Sequence, residues 1–291
     1  MIAKIKKFCC AMVIIILLPY VVTIFANGVN IKEARSGNDN RIRIQTDAGI
    51  IEMDLEEYAI GILAKELPDE YEDEAAKAQA VIVRNGIYKK IQDEGDNAVF
   101  EEQFWTTKEM QKNWGASSYA ARYQEVVKIW EATADQVITY NGKIVMAPFH
   151  QLSNGQTRDG KEALGGDEYT YLVSKECPKD LEAENQMQTT DLTMMECEVT
   201  AYDSAGYVLS VTCGTETISG EDFRQTYQLQ SGCFTVQEVD GKLRVTTQGV
   251  GHGLGLSQNT ANEMAKEGND YLTILEYFFD SVEIKEVSEI L

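Results

Sequence analysis

The chain has 291 residues, 44% of them hydrophobic, which is enough apolar material for a real core in one or two domains. Its formal net charge of -21 speaks against nucleic acid and anionic lipid as partners, because phosphates attract clustered Lys and Arg rather than surplus carboxylates. The same acidic balance keeps a protein soluble whatever it binds, so it singles out no partner.

Lys4, Lys6 and Lys7 precede an uncharged run over residues 8–26. That run is long enough to cross a hydrocarbon core of ~30 Å at ~1.5 Å per residue. Residues 1–26 are therefore read as a cytoplasmic tail and transmembrane anchor, with everything beyond them exported. A cleaved signal peptide is the alternative, but no small-x-small site follows the run, which is also long for a signal core. Residues 27–40, rich in Asn, Gly and charge, read as a tether.

Folding is expected over residues 41–291. Ile42, Ile44 and Thr46 alternate as a strand does, and residues 50–53 follow a short turn, which predicts a hairpin. Asp54 stands as an N-cap with Glu57 three residues on, ahead of an apolar-periodic helix ended by Pro68. Acidic residues at 72–74 open a second helix, rich in alanine and running toward Lys90. A loop bearing Phe104, Trp105 and Trp114 then leads to a helix over about 118–134. Asn141-Gly142 joins two strands through a type I′ turn. Beyond Cys197 short strands dominate, with a short helix near residues 221–227. A helix capped by Ser257 and ended by Gly268, then an amphipathic piece over 271–279, close the chain. No repeat of fixed period is present. The predicted class is α+β, a compact mixed domain with helices flanking short antiparallel strands and an inserted strand-rich lobe.

Cys177, Cys197, Cys213 and Cys233 lie in one stretch of the exported half and allow two disulfides in three connectivities that sequence does not rank. No CxxC pair exists, so a cysteine-only zinc site is not expected. His150 and His252 are the only histidines, and no HExxH or similar pair is present to build a metal centre. Gly-x-Ser-x-Gly is also absent, which disfavours a serine nucleophile. Trp105, Trp114 and Trp130 suit sugar stacking, but aromatics at such spacing more often belong to the core.

Glu66 carries the sharper chemistry. It stands in Leu63-Ala64-Lys65-Glu66-Leu67-Pro68, at the C-terminal end of a helix and among apolar neighbours. Both settings disfavour a second negative charge, which suits a proton donor. The bland reading is that it is one of 47 acidic residues facing water. The glycines at 249, 251, 253 and 255 allow a backbone-rich loop to approach a ligand or to hold a polar group on free N–H groups, and equally allow a tight structural turn.

Three ordered blocks change that balance. Leu55-Glu56-Glu57-Tyr58 through Gly61, then residues 64–68, 74–81 and Arg84, form the first. The second comprises Ala147-Pro148-Phe149-His150, residues 153–157, Gly165-Gly166 and Tyr171-Leu172. The third is residues 249–258, followed by Ala261, Met264-Ala265 and Gly268. Together they resemble the stage II sporulation protein D family, and they cover most of the chain beyond Arg41.

The resemblance implies a peptidoglycan lytic transglycosylase that cleaves MurNAc-GlcNAc bonds to give 1,6-anhydromuramic ends, with Glu66 as its acid/base. It also implies glycan contacts among Gln79, Arg84, His150, Ser153, His252, Ser257 and Gln258. Some relatives place zinc near the central segment, but Gln151, Leu152, Ser153 and Gln156 follow His150 here, so no metal or other cofactor is expected. The Ser-Gly-Gly usual in that segment is altered to Ser153-Asn154-Gly155. The expected substrate is glycan stripped of stem peptides, cut in septal wall remodelling and engulfment during sporulation. The expected partners are the stage II sporulation protein P amidase and the stage II sporulation protein M membrane protein, at a mother-cell membrane facing the septal wall. A noncatalytic role, glycan binding that enhances an amidase, is also attributed to relatives sharing this domain.

Overall fold

The computed structural model describes residues 40–291 apart from Ala48. The expected anchor over 1–26 and all but the last residue of the expected tether lie outside the described residues. Among the described residues, no helix is long and apolar enough to cross a membrane.

The chain opens with β1 (Arg41–Thr46) and β2 (Gly49–Asp54), the predicted hairpin, paired antiparallel from Arg41 opposite Asp54 to Thr46 opposite Gly49. Asp54 then caps α1 (Leu55–Glu66), its carboxylate accepting from the amides of Glu56 and Glu57. The alanine-rich stretch forms α2 (Asp73–Glu94), which outruns the expected end near Lys90 by a turn and stops at Gly95. β3 (Val99–Phe100) runs parallel to β1. The expected aromatic loop contains a helix, α3 (Thr107–Trp114). A reciprocal capping box nucleates it, Thr106 bonding the Glu109 amide while the Glu109 carboxylate accepts from the Thr106 amide. That Thr-x-x-Glu pattern was legible, but the surrounding polar residues masked it. α4 (Tyr119–Ala132) follows.

β4 (Gln136–Tyr140) and β5 (Lys143–Ile144) flank the Asn141-Gly142 turn, in which both residues have positive φ, 52° and 74°. β6 (Phe149–His150) and α5 (Gly160–Leu164) belong to the central segment. The inserted lobe comprises β7 (Met187–Thr193), β8 (Cys197–Tyr202), β9 (Val208–Cys213), β10 (Glu216–Ser219), α6 (Gly220–Thr226), β11 (Cys233–Val239) and β12 (Lys242–Gln248). It holds two antiparallel sheets, ordered β10-β9-β8 and β11-β12-β7, around Val208, Val211, Phe223, Phe234 and Val245. β13 (Leu256–Ser257) pairs parallel with β6, and α7 (Gln258–Lys266), α8 (Tyr271–Phe278) and β14 (Glu283–Glu286) complete the fold.

The α+β class stands, with one difference: β1–β3 and β6–β13 are parallel pairs. Each joins segments far apart in sequence, which no tight turn can bring together. Helix α2 divides two further cores. Ala80, Val83 and Ile87 face α1, Phe100 and Trp130, whereas Ala75, Ala78, Val81 and Ile82 face Ile138, Leu256, Ile274 and Phe278. Alanine at these positions lets elements approach closely on both sides of one helix.

Of the four cysteines beyond residue 41, Cys197 and Cys213 form a disulfide across β8 and β9, while Cys177 and Cys233 are buried thiols. The two bridges that an even count allowed therefore reduce to one. Cys233 is held among Asn154 and the Gly206 carbonyl, and Cys177 lies beside Asp180. Burial pushes the Cys177 thiol up to about 12, with the Asp180 charge adding to the effect, so it stays protonated and inert at neutral pH.

Candidate functional site

Glu66 is the last residue of α1. Its side chain is 31% exposed and lies 3.4 Å from the Lys65 ammonium, which also donates to the Gln103 side chain at 3.2 Å. The setting is less apolar than the sequence suggested. Leu63 and Ala64 take the buried face of the helix, and the final turn emerges from the core beside them.

What holds this turn comes from the other end of the chain. The Gln258 side-chain amide donates to the Glu66 main-chain carbonyl at 2.9 Å and to Gln79 Oε1 at 3.4 Å. Tyr71 donates its hydroxyl to the Gln258 carbonyl, and the Glu72 amide donates to Asn262 of α7. The loop after Glu66 is thereby laced to the start of α7. Helix ends leave such carbonyls without intrahelical partners, and here a side chain supplies one.

The glycine-rich loop before α7 lies directly on the central segment. Leu152 and Val250 exchange two backbone hydrogen bonds, the Arg158 amide donates to the Gly253 carbonyl, and Leu256 donates to the Pro148 carbonyl. Two glycines make this approach possible. A Cβ on Gly253 would lie 2.3 Å from the Tyr207 ring, and one on Gly255 2.0 Å from the Pro148 oxygen, and both residues have positive φ, 79° and 67°. The amides of Gly249, Val250, Gly251, Leu254 and Leu256 are all donated to protein acceptors. The loop thus spends on its own scaffold many of the N–H groups that a polar ligand would have needed.

Asp180 ties the two segments together. It is fully buried, and its Oδ2 accepts from the Ser153 amide, the Ser153 hydroxyl and the Ser257 hydroxyl, each at 2.7 Å. Its Oδ1 accepts from Asn259 and Thr260 at 3.1 and 2.8 Å. Ser153 and Ser257, both expected as glycan contacts, are turned inward onto this carboxylate. Ser257 also caps α7, as its position in the sequence indicated.

The two histidines meet with ring centroids 5.9 Å apart. His150 Nδ1 donates to the Leu254 carbonyl at 3.1 Å, while His252 Nδ1 accepts from the Leu254 amide at 3.1 Å. These bonds fix opposite tautomers for the neutral rings. Burial, then the neighbouring His252, pulls His150 down to about 3 against its carbonyl hydrogen bond. Burial likewise brings His252 to about 4, with the Glu221 charge opposing it.

Arg84 has a different setting. Its guanidinium donates to the Thr133 carbonyl at 2.6 Å and the Trp130 carbonyl at 2.9 Å, and it lies 3.8 Å over the Trp130 ring. It therefore caps the C-terminal end of α4 from inside the protein. Burial pulls it down to about 10, with Asp135 opposing, so it remains a cation at neutral pH.

Sequence reasoning passed over Asp180 and the buried pair Arg158–Asp203, joined at 2.6 Å, in which Arg158 also reaches the His252 carbonyl. Neither stands in a pattern that periodicity or spacing would expose. Their importance comes from what the tertiary fold packs around them.

Fold and site together define an α+β protein in which a helix ending in a carboxylic acid is tied to the start of α7, and the glycine-rich loop before α7 is packed on a central polar segment. Residues 45–140 match the family described as stage II sporulation protein. The chain is 29% identical over 262 residues to Stage II sporulation protein D of Bacillus subtilis (strain 168), covering 81% of this chain and 76% of that one. It is 28% identical over 262 residues, with the same shares, to Stage II sporulation protein D of Bacillus amyloliquefaciens. An uncharacterized protein of Brachyspira hyodysenteriae is 27% identical over 265 residues, 82% of this chain and 68% of its own. The family that the three sequence blocks resemble, the stage II sporulation protein D family, is also the one to which these matches show the chain to be similar. The span from 45 to 140 includes Glu66, Gln79 and Arg84.

Proposed function

We propose that this chain is a peptidoglycan lytic transglycosylase with Glu66 as its acid and base. The observation that carries the proposal is the 2.9 Å hydrogen bond from Gln258 to the Glu66 carbonyl, which ties the helix end bearing a partly exposed carboxyl to the start of α7, just after the glycine-rich loop. Hydrolytic glycosidases usually need a second carboxyl to activate water or to attack the sugar. A transglycosylase needs one. Protonated Glu66 gives its proton to the glycosidic oxygen as the C1–O bond breaks and the leaving sugar departs as an alcohol. The C6 hydroxyl of the same muramic residue bonds to C1 and returns its proton to Glu66, with no water consumed.

The substrate in this reading is glycan stripped of stem peptides, cut during septal remodelling and engulfment, with the stage II sporulation protein P amidase and stage II sporulation protein M as partners. The uncharged run over 8–26 would hold the domain outside a mother-cell membrane, facing the wall.

Mass spectrometry of digested glycan strands tests the proposal. Wild type should release anhydromuramic ends, and Glu66→Gln should release at most about one-hundredth as many, the scale of a lost general acid, with an unchanged melting temperature. Full activity of the purified Gln variant would remove Glu66 from the mechanism. Glycan binding without any anhydro ends would instead favour the noncatalytic amidase-enhancing role.

A further inference from the structure

Gln79 and Gln258, expected as sugar contacts, are 0% and 6% exposed, and the polar groups described for them face the protein. Gln258 offers its amide nitrogen to two oxygens at once, the Glu66 carbonyl and Gln79 Oε1. Gln79 presents its oxygen to Gln258, and its own Nε2 is buried with no partner among the described residues. Turning the Gln79 amide over would set two donors against each other. The arrangement therefore keeps the Gln258 amide aimed at Glu66 while leaving one buried donor unpaired, a cost that a purely structural contact would readily avoid.

We propose that Gln258, oriented by Gln79, is a positioning residue for Glu66: it holds the main chain of the acid and thereby sets where its carboxyl points. The inference rests on the transglycosylase reading for its kinetic consequence, but not for its structural one. A side chain at a free helix end swings with its own backbone, and displacements of about 1 Å at a reacting group cost on the order of a hundredfold in rate. The glycine-rich loop then acts on the chemistry through the start of α7 and not only through substrate.

Two measurements on the full chain test this, each on wild type, Gln258→Met and Gln79→Met. In amide hydrogen exchange, Gln258→Met should quicken exchange of the Leu67 amide by about tenfold, the equivalent of one lost hydrogen bond, while amides of β11 and β12 stay unchanged. Gln79→Met should quicken it less. Unaltered protection at Leu67 in both variants would overturn the proposal. In kinetics on glycan strands, kcat should fall about tenfold or more for Gln258→Met, with KM within about twofold. A raised KM at constant kcat would make Gln258 a sugar contact and defeat the positioning role. If wild type forms no anhydro ends, the transglycosylase reading fails, and the exchange measurement alone decides the positioning of Glu66.

Discussion

His150 and His252 show how the backbone of one residue sets the chemistry of two side chains. The Leu254 carbonyl accepts a hydrogen bond from one ring, and the Leu254 amide donates one to the other. Both rings sit well below the ordinary value of about 6.5 for a free histidine, so each is neutral in the fold. The unfolded chain binds these protons first as pH falls. The stability contributed by the two neutral rings is therefore complete above about pH 6.5 and is lost progressively as pH drops toward about 4, by up to about 1.4 kcal/mol per unit for each ring. Nitrogen-detected NMR at pH 5.5 should find both imidazoles neutral with opposite tautomers, and a charged ring there would contradict the burial. At this scale the sequence marked the pair as the only histidines, but their proximity depends on the pairing of β6 with β13.

At the scale of elements, most helices and turns were legible. Asp54, Ser257 and the Asn141-Gly142 pair acted where their chemistry indicated, because caps and tight turns are settled by a few neighbouring residues. Helix α3 was missed, and so were β7, β10 and β14, largely exposed segments whose partners supply most of their reason to be strands. Arg84 belongs here, since it closes α4 from the interior. Arg84→Met should lower the unfolding free energy by about 2–4 kcal/mol, because two carbonyls lose a charged donor and the Trp130 ring loses its cation. Equilibrium urea denaturation measures this. A loss under about 0.5 kcal/mol would return Arg84 to the glycan contacts.

For the whole molecule, Asp180 is the junction. It joins the central segment at Ser153 to the start of α7 at Ser257, Asn259 and Thr260. Gln258 continues that connection to Glu66, so all three sequence blocks meet along one line of hydrogen bonds. Replacing Asp180 with Ala would strand five donor contacts, four of them buried, and should cost about 3 kcal/mol or more and loosen exchange protection at α7 and at residues 151–155 together. Equal protection in the two proteins would show that the blocks are held independently.

The sequence by itself determined the class, the caps and turns, the three blocks and the acid at a helix end, because these depend on local periodicity and on residues within a few positions of one another. Only the tertiary structure decided which polar groups the acid and its helix end would meet. It turned Ser153 and Ser257 onto Asp180, set Arg84 under α4 and left Cys177 and Cys233 unpaired. A buried polar side chain takes whatever partner close packing brings within about 3 Å, and that partner can lie anywhere along the chain.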